Sequence, residues 1–170
     1  MSEPGSGGSV RVGKPYRGCK MFKKILIAVD GSDCSDRAVE VAADLALHYA
    51  AKVIVLHVTE SIGSSRLPTG FEQIERIEHV HITENDLLMG VAHQIVERAA
   101  VRCLELGVEH VDRQVLAGNP RAVIVQVAKA EGVELIVMGR RGLGRIADML
   151  LGSVSHRVTQ TAECACLTVH

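Results

Sequence analysis

The chain has no tryptophan, two tyrosines and two phenylalanines in 170 residues. That scarcity leaves almost nothing to stack on bases, so a single-strand nucleic-acid platform is nearly excluded. Charge of one sign is lacking too: the formal net charge is -1 and the pI is near 6.7. Proteins that track nucleic acid or anionic membrane surfaces usually carry a basic face, and nothing here predicts either partner. No apolar run approaches the roughly 18 residues of a membrane span, and the N-terminus has no apolar signal core. The five cysteines are an odd number in a chain long enough to bury a core without disulfide staples. Free thiols in a reducing, cytoplasmic compartment are the expectation.

What is present is a regular alternation. Residues 1–20, "MSEPGSGGSVRVGKPYRGCK", are rich in Gly, Ser and Pro and lack periodicity, so they read as a disordered tail or an N-terminal extension. A single α/β domain is expected over 21–170. The continuous apolar runs at 24–29, 52–58 and 133–139 read as buried strands, and 110–118 and 166–170 as two further strands. Helical spacing appears from Asp36 to Ala51, and in a long segment from Phe71 that is either one helix or two broken near 83–86. Gly107 closes that segment. Two shorter helices follow, one opening at Pro120 with Gly132 after its end, the other over 153–162. The polar stretch "TESIGSSRLPTG" reads as a loop. Strands separated by helices predict a Rossmann-like open parallel sheet with helices on both faces.

Ligands in such sheets sit at the carboxyl ends of strands, where strand order reverses. Two strand ends are chemically unusual. Strand one ends in Asp30-Gly31-Ser32, and strand four runs into "GRRGLGRIADMLLGS" (139–153). Glycines there allow positive φ and close backbone approach, successive N–H groups bind anions, and Gly152-Ser153 opens a helix whose N-terminus favours negative charge. Arg140, Arg141 and Arg145 add cations. The arrangement suits a polyphosphate, although it is neither a Walker A loop nor GxGxxG.

The spacing Gly139, two residues, Gly142, nine residues, Gly152-Ser153 resembles the ATP-binding signature of the universal stress protein family. "KKILIAVDGSDCSDRAVEVA", "VIVLHV", "GNPRAVIVQVAKAEGVELIVMGRRGLG" and "LLGSVSHRVTQTAECACLTV" resemble its other segments in order. The resemblance implies five parallel strands in order 3-2-1-4-5, often with a homodimer through the last strand. It implies a stress-response protein with an adenine nucleotide as ligand, ATP with or without Mg2+, in a crevice between strands one and four. Asp30 would bind the ribose hydroxyls. Ala28 and Val58, with Val29 between Ala28 and Asp30, would border the adenine, the Val58 backbone reading its edge. Met138 would sit just before the phosphate turn, Gly139, Arg141, Gly142, Gly152 and Ser153, with Val154 and Ser155, would line the triphosphate, and Gly118 would face the same crevice. One departure is that Cys164-Ala165-Cys166 stands where the family usually has Cys-Pro-Val, which bears on the last strand and on the dimer.

Plainer readings stand beside these. Asp30 is also a turn residue or helix cap, Ser32, Asp33 and Ser35 are candidate caps, with Ser32 and Ser35 caps before nucleophiles, Arg145 reads as a surface charge, and Asp148 as a local helix or loop polar residue without a role. Cys164 and Cys166 share a strand face and read as small apolar residues rather than a metal pair. His57 reads as a packed, hydrogen-bonded residue. His79 and His81 fall on different helix faces, and His156 lies near the phosphate segment. Three functions remain open from sequence: a nucleotide-binding regulator, a slow ATPase or phosphotransferase, and a nucleotide-independent dimer with a vestigial crevice.

Overall fold

A computed structural model describes residues 21–60, 84–142 and 152–170, 84 and 85 by their backbone alone. Its elements in chain order are β1 (Lys24–Ala28), α1 (Asp33–Tyr49), β2 (Lys52–Thr59), α2 (Glu84–Glu105), β3 (Val111–Ala117), α3 (Pro120–Ala130), β4 (Leu135–Gly139), α4 (Ser153–Thr161) and β5 (Ala165–Val169). The tail at 1–20, the loop after Thr59, His79, His81, the first part of the long helical segment, and Arg145 and Asp148 lie outside the described residues.

The five strands form one sheet in the order β3-β2-β1-β4-β5, every pair parallel. Its centre is where the continuous apolar runs lie. Ile25, Leu26 and Ile27 are fully buried because side chains alternate across a sheet covered on both faces. Ile25, Ile27, Val53, Val55 and Val137 join one core cluster with the small residues Ala38, Ala42, Ala43 and Ala46 of α1. Leu26, Ile54, Leu56, Ile136 and Met138 join the other, with Ile124 of α3 and Val158 of α4. The alanine stripe lets α1 lie close on the sheet.

Several element ends carry the expected punctuation: Ser32 caps α1, accepting from Ser35 N at 3.3 Å, and Pro120 opens α3. The cap of α3, not singled out from sequence, is Asn119, accepting from Arg121 N at 3.0 Å. Gly107 and Gly132 take positive φ at the ends of α2 and α3. The apolar run at 133–139 overstates its strand: Val133 N donates to Ala128 O and closes the turn after α3, so β4 starts at Leu135. β5 begins one residue earlier than the sequence predicts, and Ala165 N donates to Glu134 O at 3.2 Å. A proline at 165 would have no N–H for that bond. Among the described residues no helix is long and apolar enough to cross a membrane.

Candidate functional site

The sheet reverses direction of winding between β1 and β4, and the two strands pair only as far as Ala28 and Met138. Beyond that point the chains part, and a cavity of about 310 Å³ opens at their carboxyl ends. One part of its wall is apolar: Ala28, Leu56, Val58, Ile124, Met138 and Val154. The other is polar: Asp30, Arg141, Ser153 and Ser155, with Gly139, Gly142 and Gly152. Twelve of the thirteen residues expected from sequence line it: Ala28, Val29, Asp30, Val58, Met138, Gly139, Arg141, Gly142, Gly152, Ser153, Val154 and Ser155. Gly118 stands outside the wall. It turns the chain from β3 into α3 at φ +146, donates to Thr59 O at 2.8 Å, and a Cβ there would meet Val123 Cγ2 at 2.9 Å.

Asp30 is held by its own turn. Its Oδ1 accepts from Ser32 N at 3.0 Å and from Ser32 Oγ at 2.6 Å, an Asx-type arrangement that also presents Ser32 as the cap of α1. Gly31, at φ +83, makes that turn possible. The other carboxylate oxygen, Asp30 Oδ2, lies against Gly142, where a Cβ would collide with it.

Gly139, Gly142 and Gly152 meet only one of the two expectations for them, close approach and positive φ. The positive-φ glycines among the described residues are Gly31, Gly107, Gly118 and Gly132, so Gly139, Gly142 and Gly152 are not there for left-handed backbone. They are there for close approach. A Cβ on Gly139 would fall 2.9 Å from Cys34 Cβ and 3.0 Å from the Cys34 carbonyl carbon, so its absence brings the start of α1 against the end of β4. A Cβ on Gly152 would lie 3.1 Å from Arg140 O, which already accepts Gly152 N at 2.8 Å and Ser155 Oγ at 2.9 Å. Ser155, 3% exposed, therefore ties the turn after β4 to the first turn of α4 as well as lining the cavity.

The electrostatics at the polar end favour an anion. α1 and α3 have side-chain caps, whereas α4 begins at Gly152, which supplies none, and has no acidic residue in its first turn. Its first N–H groups open beside Ser153. Arg141 lines the cavity, and its Nε is buried without a hydrogen-bond partner among the described residues. A buried guanidinium N–H left unmatched costs stability unless a ligand oxygen meets it.

Leu56, His57, Pro120 and Ile124 also line the cavity and were not singled out as binding residues from sequence. Leu56 and Ile124 are ordinary core residues of β2 and α3, and only the packing of α3 against β2 makes them a wall. His57 is hydrogen-bonded as expected, its Nδ1 2.7 Å from Val29 O. His156 lies on the outer surface of α4 with Gln160 at 3.3 Å and does not reach the cavity. Cys164 and Cys166 are free thiols packed at the edge of the second core cluster. Among the described residues no group of three His, Cys, Asp or Glu side chains could hold a metal ion.

The model of the universal stress protein family matches residues 21–170, the whole of the patterned chain. The chain belongs to this family. It is 36% identical over 150 residues to the universal stress protein YxiE of Bacillus subtilis, covering 88% of this chain and 99% of that one. Universal stress proteins of solved structure share its fold. One, in complex with cAMP, matches with TM-score 0.62 and 26% identity over 88% of this chain and 97% of its own. Another, from Archaeoglobus fulgidus in complex with dAMP, matches with TM-score 0.61 and 22% identity over 88% and 99%.

Proposed function

We propose that this universal stress protein is a regulatory protein that binds an adenine nucleotide, ATP with or without magnesium, in the cavity between β1 and β4. The observation that carries the reading is the division of the cavity wall. Its apolar part, Ala28, Leu56, Val58, Ile124 and Met138, suits a planar base. Asp30 stands where a carboxylate can accept ribose hydroxyls, and Arg141, Ser153 and the uncapped start of α4 suit phosphate oxygens. The relative solved with cAMP, at 26% identity, supports adenine as the base. Binding of the nucleotide would bridge the ends of β1 and β4 and bias the surface that partners meet.

A homodimer through β5 belongs to the same proposal. β5 is the outer strand of the sheet, and Cys166, Leu167 and Val169 on it are only half-buried. An outer strand with apolar side chains is a ready surface for a second copy. Sedimentation equilibrium should then give twice the chain mass, and a monomer at tens of micromolar would contradict it.

The nucleotide reading is tested by denaturing freshly purified protein and identifying the released small molecules by mass spectrometry. An adenine nucleotide is expected, in smaller amount from Gly142→Val. If nothing is released and added ATP with magnesium gives no thermal shift, the reading fails.

A further inference from the structure

His57 stands at the point where β1 leaves β2, and the bonding there is irregular. The paired register of the two strands ends at Ala28 and Leu56. Val29 N still donates to Leu56 O at 2.9 Å, as in a continuing parallel ladder. The next bond of such a ladder would give the Val29 carbonyl to the Val58 N–H. Instead that carbonyl lies 2.7 Å from His57 Nδ1. A carbonyl only accepts, so Nδ1 is the donor, and it carries its proton in the neutral and in the charged ring alike.

The Val29 carbonyl belongs to the peptide that carries Asp30. Val29 is itself 5% exposed, and its N–H and C=O are now both fixed to β2, one by backbone and one by the imidazole. On the far side Asp30 is fixed by Ser32 through N and Oγ. The carboxylate is thus held from both flanks, at the strand end where β1 has turned away from its neighbour.

We infer that His57 is a positioning residue: by taking the Val29 carbonyl out of the β1–β2 ladder, its ring sets the peptide plane that aims Asp30 into the cavity. The inference rests on the nucleotide reading above, and concerns the ribose end of that site. His57 need not touch the nucleotide. A strand-end carbonyl bonded by a side chain, rather than by the next N–H, lets β1 end abruptly and still leaves Asp30 with one orientation.

The test compares ATP with 2′,3′-dideoxy-ATP, which lacks the hydroxyls Asp30 would accept, by isothermal titration. The full-length protein, His57→Leu and His57→Asn are titrated alike. Leucine keeps an apolar side chain without a donor, whereas the asparagine amide nitrogen occupies nearly the place of Nδ1. The wild-type protein should prefer ATP over the dideoxy nucleotide by roughly tenfold or more, the size of a hydrogen bond to a charged group. His57→Leu should lose most of that preference while remaining folded by circular dichroism, and His57→Asn should restore it. A preference left intact in His57→Leu overturns the positioning role and leaves the nucleotide reading standing. Equal loss for both nucleotides also overturns it, because the ring would then act on stability alone. If the wild-type protein binds neither nucleotide, both readings fall together.

Discussion

The Asp30 carboxylate and the α-carbon of Gly142 face each other across the mouth of the cavity with no room for a methyl group between them. A residue at the end of β1 and a residue 112 positions later in the chain are therefore one element of the site. Gly142→Ala should displace Asp30 from its aim without touching the core, because Gly142 is exposed. The expected result is a tenfold to hundredfold loss of ATP affinity by calorimetry, with a melting temperature within a few degrees of wild type.

Gly139→Ala should do the reverse in emphasis. Its Cβ would press on Cys34 and on the Arg141 carbonyl, where backbone atoms cannot give way. Overpacking of this kind costs about 1–3 kcal/mol. Chemical denaturation should report that loss directly, in the absence of any nucleotide.

Ala50 ends α1 in the left-handed region, at φ 51 and ψ 46, and is exposed. An alanine pays about 1 kcal/mol for that conformation, and glycine does not. Ala50→Gly should raise stability by several tenths of a kcal/mol or more, after the added freedom of the unfolded chain is offset. The denaturation midpoint should move up, with nucleotide affinity unchanged.

Burial pushes the Cys103 thiol up to about 11, and burial with the neighbouring Cys164 pushes Cys166 up to about 11. In the unfolded chain both ionise near 9. Between those values the folded state binds more protons than the unfolded state, so stability falls as pH rises. The contribution is complete below pH 9 and is lost progressively toward pH 11. Thermal melts across that window should decline in wild type, and less steeply in Cys103→Ala relative to its own value at pH 8.

The parts of the fold legible in the sequence are those governed by local rules. β1, β2 and β4 are continuous apolar runs because both faces of the sheet are covered, and Ser32, Pro120, Gly107 and Gly132 mark helix ends through their own local needs. The cavity wall was legible where its residues sit in the strand ends and the glycine segment. What Gly139, Gly142 and Gly152 make room for was not, because Cys34, Asp30 and the Arg140 carbonyl come to them through sheet pairing rather than through local sequence. Leu56 and Ile124 carry no local mark of a binding wall at all. At Gly139, Gly142 and Gly152 the expectation of positive φ failed for the same reason: close approach and left-handed backbone leave the same letter in the sequence.

The most direct test of the central claim is a calorimetric titration of the wild-type protein and of Asp30→Ala with ATP in the presence of magnesium. The account predicts saturable binding with one nucleotide per chain, weakened about tenfold to hundredfold in Asp30→Ala. No saturation at millimolar ATP, or equal affinity in the two proteins, would contradict it.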